Sequence, residues 1–293
     1  MTEAEDTLPG AERRTWSLPD GDLAGWVWPN PGAPVLLFAH ANGFCASAYR
    51  QVLEPLAERF EIVAPDLRGH GRTTLPADPQ HHRSWDVYAR DLLALIEQLP
   101  APPSVMAGHS MGAVASLLAA ARMVAVPRLA LVEPVVMPAG LYVVARSPLR
   151  GVMKNRFPIA RQARRRRNGW SDHDAALARY AAHPNFARWR AGVLADWLLD
   201  GLKETPEGVA LACDPQWEAA NYEAQGHDIG RAARRAGPHM HLLKAQYGST
   251  LVRPEALTRR GAQMTRLDGV GHLAPMEAPE RVTAWLGEAV RDL

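Results

Sequence analysis

The sequence predicts an α/β protein: a doubly wound, mostly parallel sheet with an inserted helical cap. Three observations lead there. Short strands, apolar on both faces, alternate with helical stretches, the pattern of a parallel sheet covered on each side. Three of the loops that follow such strands carry glycine-rich motifs with reactive side chains. Between about residues 137 and 212 the alternation gives way to helical, Arg/Ala/Trp-rich sequence. Residues 1–136 and 213–293 are therefore read as the sheet-bearing core and 137–212 as the cap.

The chain opens with a hairpin signal, two short apolar runs at 15–18 and 23–28 around Pro19-Asp20-Gly21-Asp22. A strand at 35–39 precedes a helix at 49–56, and a strand at 62–65 precedes a helix at 85–99 that Ser84 can cap. A strand at 105–107, a helix at 111–121 and a strand at 129–132 complete the first half. No convincing strand is visible across 137–212. The pattern resumes with strands at 239–244 and 263–267 and a closing helix at 279–290. No internal repeat is present.

Composition narrows the function classes. The 293 residues carry a formal net charge of only +2, which gives no general attraction to nucleic acid. Residues 98–121 lack charged side chains, but Pro100, Pro102, Pro103, Gly108 and Gly112 punctuate them, so no membrane span is expected. The acidic start, Met1 to Asp6, has no apolar h-region of a secretory signal. Two distant cysteines, Cys45 and Cys213, read as free buried thiols of a cytoplasmic protein.

Gly108-His109-Ser110-Met111-Gly112 is the strongest chemical signal. It follows one strand and opens a helix, and its glycines let strand and helix approach closely around a sharp turn. Such a turn lifts the Ser110 hydroxyl out at the carboxyl edge of the sheet, above the positive end of a helix. Two more motifs follow strands, His40-Ala41-Asn42-Gly43-Phe44 and Asp66-Leu67-Arg68-Gly69-His70-Gly71. Together the three resemble the α/β-hydrolase superfamily, in its order and on its strand ends, across nearly the whole chain outside the cap.

The resemblance implies roles residue by residue. Ser110 is the nucleophile. The backbone N–H groups of Asn42 and Met111 form the oxyanion hole; Ala41 stands where the family usually has glycine, which narrows that wall. Asp66, Arg68 and His70 brace the sheet edge and carry no chemistry. The general base follows the last strand, and Leu267-Asp268-Gly269-Val270-Gly271-His272 supplies His272 after a glycine-rich turn. For the triad acid the sequence leaves the commoner pattern. The stretch from His241 to Thr250, where many members carry an aspartate, has no carboxylate, whereas Glu133-Pro134 sits at the tip of the sixth strand. Some members use a glutamate there, and this chain resembles them. Pro134 predicts an extended Glu133. Asp268 is the rival acid, and it more naturally ties down its own turn.

In the cap, the run Arg161-Gln162-Ala163-Arg164-Arg165-Arg166-Arg167 reads as a solvated helix face, with an anion site as the sharper alternative. Trp170, Tyr180, Phe186, Trp189 and Trp197 are expected to form the cap's core and the roof of a pocket. The implied activity is cleavage of a small-molecule carboxylic ester by a Ser-His-Glu triad through an acyl-enzyme, with no metal or organic cofactor. A lactonase, a thioesterase or a carbon–carbon hydrolase shares that triad, and a non-catalytic ligand-binding protein shares the fold. Serine at the elbow argues against epoxide hydrolases and haloalkane dehalogenases, which need a carboxylate nucleophile there.

Overall fold

The computed structural model describes residues 7–148 and 157–292. The acidic start and residues 149–156 of the expected cap lie outside the described residues. Eight strands form one sheet in the order β1-β2-β4-β3-β5-β6-β9-β10. The hairpin β1 (Glu12–Leu18) and β2 (Gly21–Trp28) is antiparallel, and β2 meets β4 (Glu61–Pro65) antiparallel. From β4 onward the strands run parallel: β3 (Val35–Ala39), β5 (Val105–His109), β6 (Arg128–Val132), β9 (Met240–Tyr247) and β10 (Gln263–Gly271).

β3, β5 and β6 are buried almost throughout because helices cover both faces of the sheet, which is why they read as unbroken apolar runs. One core layer packs Phe38, Tyr49 and Trp26 with the closing helix, and the other packs Leu37 and Met106 with Tyr88 and Leu117. α1 (Arg50–Leu53) is a single α-turn flanked by 3₁₀ turns, shorter than the helix expected at 49–56. α2 (Asp86–Ile96) starts beside Ser84, whose hydroxyl accepts the Asp86 N–H at 3.1 Å. α3 (Met111–Ala120) follows β5 directly and is buried along its whole length.

Strand order reverses at β3, whose neighbours are β4 on one side and β5 on the other. The loops after β3 and β5 therefore diverge over a crevice at the carboxyl ends of the strands, the usual ligand position in an open α/β sheet. The described residues between β6 and β9 include α4 (Ala139–Arg146), α5 (Pro158–Arg164), α6 (His173–Ala181), α7 (Val193–Gly201), α8 (Pro215–Glu223) and α9 (Ile229–Ala236). Of these, α5, α6, α7 and α8 contribute lining to a cavity at that crevice, whereas α9 packs on α3 instead. The same stretch holds an antiparallel hairpin of β7 (Leu202–Thr205) and β8 (Gly208–Leu211), where no strand was expected. Thr205-Pro206-Glu207-Gly208 supplies its turn, with Gly208 at φ +128°.

Ion pairs tie α7 to the sheet edge. Asp196 accepts from Arg50 at 2.9 Å, and the fully buried Asp200 accepts from Arg13, Arg72 and the Trp26 indole N–H at 2.7–2.9 Å. Three short or medium helices complete the chain: α10 (Glu255–Thr258), α11 (Ala274–Glu277) and α12 (Pro279–Ala289). Cys45 and Cys213 are both free and buried. Among the described residues no helix is long and apolar enough to cross a membrane.

Candidate active site

The turn between β5 and α3 is made by Ser110 alone, at φ +55° and ψ −114°. Side chains rarely adopt that backbone, so the surroundings must enforce it. The Ser110 N–H donates to Val132 O of β6 at 2.9 Å, and the Ser116 hydroxyl locks α3 to Ala107 O at 2.9 Å. The flanking glycines are needed for space. A Cβ on Gly112 would lie 2.2 Å from Ala39 O, and one on Gly108 would lie 2.7 Å from the Gly112 carbonyl carbon.

His272 follows β10. The expected glycine-rich turn is instead a bulged continuation of that strand, with a register shift between Leu267 and Gly271. A bulge re-aims the chain that leaves it. His272 Nε2 lies 3.1 Å from Ser110 Oγ, and its Nδ1 lies 3.0 Å from Glu133 Oε2. Glu133 is fully buried. Its Oε1 accepts from the Ala245 N–H and the Ser249 hydroxyl, each at 2.7 Å, and Oε2 accepts from the Thr250 N–H at 3.0 Å. Burial opposes the charged carboxylate, but the His272 contact and these donors outweigh it and hold the carboxyl below its ordinary value. An ionised carboxylate can only accept, so Nδ1 carries the proton and Nε2 presents a lone pair to Ser110.

Glu133 departs from the extended backbone predicted by Pro134: its φ is +49°. Both of its backbone groups are pinned from the neighbouring strand and turn. Its N–H donates to Leu243 O at 2.8 Å, and its carbonyl accepts from the Thr250 hydroxyl at 2.9 Å. These bonds override the local preference. Asp268 points away: its side chain is 73% exposed and accepts from Arg266 Nε at 2.8 Å. It does not bond the amides of its own turn as expected, because the Gly269 N–H goes to Gln246 Oε1 at 2.7 Å.

Asn42 and Met111 border the same cavity as Ser110 and His272. Met111 is the first residue of α3, so its N–H has no intrahelical partner. Among the described residues neither amide donates to a protein acceptor. The Asn42 side chain holds its loop in place, donating to Glu218 O at 2.9 Å and accepting from Asn221 Nδ2 at 2.8 Å.

The second loop is structural in its contacts. Buried Asp66 accepts from the Ala46 and Arg72 N–H groups, Arg68 forks onto Asp91 at 2.7 and 2.9 Å, and His70 Nε2 accepts from the Gly43 N–H at 3.1 Å. Burial, reinforced by Asp200, raises the Asp66 carboxyl to about 7.

One brace was missed in the sequence. His109, beside the serine, is fully buried, and burial drives its pKa far down. Its Nε2 lies 2.9 Å from the His272 carbonyl and its Nδ1 lies 2.8 Å from the Tyr49 hydroxyl. The Tyr49 oxygen accepts the Ala41 N–H at 3.0 Å. A carbonyl only accepts, so Nε2 holds the proton of the neutral ring and Tyr49 donates to Nδ1. This chain of bonds joins the His272 loop to the loop bearing Asn42. A second polar side chain inside the elbow motif was its signal.

The cavity has a volume of about 1080 Å³. Trp170, Tyr180, Phe186, Trp189 and Trp197 all line it, as expected, and they pack on one another at ring-centroid distances of 4.6–6.0 Å. The arginine run is a solvated face only in part: Arg161, Arg165 and Arg167 are exposed, whereas Arg164 and Arg166 turn inward. Arg166 pairs with buried Glu218 at 2.6 Å, Arg164 pairs with Glu223 at 2.7 Å, and Arg161, Arg165, Arg166 and Arg167 all border the cavity. Helical spacing alone could not show which side of the run faces inward.

Fold and site together define an α/β-hydrolase architecture with its serine at the strand–helix elbow. A sequence model of the alpha/beta hydrolase family matches residues 36–285, and the chain belongs to that family. Among curated proteins it is 35% identical over 106 residues to epoxide hydrolase A of Mycobacterium tuberculosis, covering 34% of this chain and 32% of that protein. It is 38% identical over 86 residues to a bifunctional esterase/perhydrolase of Acinetobacter calcoaceticus, covering 29% and 30% respectively. The chain thus spans about a third of the length of these relatives. Among solved structures, an E-2-(acetamidomethylene)succinate hydrolase superposes with a TM-score of 0.73 at 18% identity, covering 96% of this chain and 99% of that one. A peroxisomal alpha-beta-hydrolase of Saccharomyces cerevisiae gives 0.74 at 16%, covering 97% and 90%. These two likenesses concern the fold.

Proposed function

We propose that the protein is a serine hydrolase that cleaves a carboxylic ester of a small molecule through an acyl-enzyme. The observation that carries this reading is the unbroken chain of hydrogen bonds from Ser110 Oγ through His272 to Glu133, opening on an aromatic-lined cavity. As Ser110 Oγ attacks the carbonyl carbon, its proton passes to His272 Nε2, and the Glu133 carboxylate stabilises the imidazolium. The carbonyl oxygen gains negative charge and is met by the Asn42 and Met111 N–H groups; losing one such donor costs about 3 kcal/mol. His272 then protonates the alkoxide as the C–O bond breaks. Water repeats the sequence on the acyl-serine and releases the acid.

The serine also favours acyl over alkyl chemistry. Attack on a carbonyl leaves a hydrolysable ester on Ser110, whereas attack on an epoxide carbon would leave an ether. In this reading residues 137–212 act as a cap over a core of 1–136 and 213–293. Lactones, thioesters and vinylogous 1,5-diketones offer the same electrophile, so a screen across them alongside aryl esters of graded acyl length identifies the substrate.

The direct test is a fluorophosphonate probe combined with aryl-ester turnover. Ser110 is expected to be labelled, and Ser110→Ala to lose both labelling and at least about 10⁴-fold in kcat. Labelling at another serine, or undiminished turnover in the variant, overturns the assignment.

A further inference from the structure

We infer that the cavity mouth binds an anionic group of the substrate, a carboxylate or a phosphate remote from the scissile carbonyl, through Arg161, Arg165 and Arg179. The inference rests on the reading of Ser110 as nucleophile, since it assigns a ligand to the cavity onto which Ser110 opens. Among the described residues five arginines border that cavity, and the one acidic residue among its lining, Glu218, is already neutralised by Arg166. Four positive charges of the described residues therefore stand uncompensated by a carboxylate of that lining, in a chain whose net charge is +2.

The individual contacts sort these arginines. Arg166 is a brace, bonded to Glu218 and to the Tyr180 hydroxyl. Arg167 donates to Gly169 O and lies over the Trp170 ring. Arg161, Arg165 and Arg179 are exposed, and none forms an ion pair with a carboxylate among the described residues. Arg161 and Arg165 sit one helical turn apart at the end of α5, where like charges repel unless an anion lies between them. Apolar walls concentrate the field of charges that line a cleft. Two neutral donors add to the demand for an acceptor: the indole N–H groups of Trp170 and Trp189, which line the same cavity, are buried without a partner among the described residues. The cavity thus presents positive charge at its exposed arginines and unpartnered indole donors within an interior whose lining is largely aromatic and aliphatic.

The test compares matched substrates on the whole protein. 4-Nitrophenyl butyrate is set against mono(4-nitrophenyl) glutarate, and S-butyryl phosphopantetheine against S-butyryl pantetheine. The charged member of at least one pair is expected to have about tenfold or more higher kcat/KM at low salt, with the advantage shrinking as salt rises. Which pair shows it separates a carboxylate from a phosphate source. The triple variant Arg161→Ala/Arg165→Ala/Arg179→Ala is expected to lose that ratio. Arg259→Ala/Arg260→Ala, which lowers the net charge away from the cavity, is expected to keep it. Equal kcat/KM within both pairs, or an equal loss of the ratio in the control variant, overturns the inference while ester hydrolysis stands. If no ester or thioester is turned over, the nucleophile reading fails, and tryptophan quenching in Ser110→Ala still decides this one. Anionic compounds that bind no more tightly than their neutral partners sink it.

Discussion

At the strand ends Ser110, Glu133 and His109 are buried, and their side-chain polar atoms have fixed partners, whereas across the cavity Arg161, Arg165 and Arg179 are exposed and without ion pairs. The first group hangs on backbone that the parallel sheet holds from both sides. The second hangs on α5 and α6, where Arg166 just beyond α5 pairs with the buried Glu218 and Tyr180 of α6 packs on Trp170 and Trp197. Bond-making chemistry needs donors and acceptors held to fractions of an ångström. Choosing among substrates needs only charge and shape at a distance. On the proposed function the same molecule separates rigid chemistry from adaptable selection, and the separation can be tested from either side.

The hardest break is at the acid. Glu133→Gln is expected to lower kcat for an aryl ester by about 10³–10⁴, because the amide can stabilise neither the Nδ1–H tautomer nor the imidazolium. Asp268→Asn, with an exposed carboxylate bonded among the described residues only to Arg266, is expected to stay within about twofold of the parent. Comparable losses in the two variants would move the acid to Asp268.

Acid should break the strand-end region next. Burial lowers the pKa of His40, His70, His82, His109 and His227, to about 4 for His70, His82 and His227. The unfolded chain accepts protons near 6.5 that the folded state refuses, so this stability is complete above about pH 6.5 and is lost as pH falls toward 4. Burial also raises the carboxyls of Asp66, to about 7, and of Asp91, Asp196 and Glu218; these work in the opposite direction and gain stability on acidification. But burial holds the five histidines neutral against a much larger unfolded-state demand for protons between pH 6.5 and 5. Calorimetry is expected to show a Tm nearly constant from pH 7.5 to 8.5 and falling steeply between 6.5 and 5. A Tm unchanged down to pH 5 would refute the buried neutral histidines.

The finest probe is the brace between the two loops. Tyr49→Phe removes one hydroxyl, leaving the Ala41 N–H without its acceptor and His109 Nδ1 without its donor. Loosening the Asn42 amide by a few tenths of an ångström is expected to cost about tenfold in kcat with little change in KM, since the amide acts on the oxyanion and not on the ground-state ester. A rise in KM alone would assign Tyr49 to substrate binding or packing.

Legibility in the sequence followed the same division. The strands from β3 to β6 lie within two residues of their expected positions because burial on both faces leaves unbroken apolar runs. Ser110, His272 and Glu133 stood out because a glycine-rich turn, a late histidine and a strand-end carboxylate are local signals. What the sequence hid was relational. The β7–β8 hairpin is too short for its alternation to register, although its Pro-Glu-Gly turn was readable. The inward side of the arginine run depends on α5 packing against α8, and the left-handed backbone of Glu133 depends on Leu243 and Thr250, more than a hundred residues away.

That backbone has a consequence for the whole molecule. Ser110 and Glu133 are the two described non-glycine residues with positive φ, and they end adjacent strands of the sheet. Each such residue costs about 1–3 kcal/mol, a sizeable share of a domain's 5–15 kcal/mol margin. Glycine accepts that conformation freely, so a chain carrying Ser110→Gly would trade its proposed nucleophile for a more robust fold. Selection for thermal endurance alone would therefore erode this site first, and its persistence in any lineage would have to be maintained by the chemistry itself.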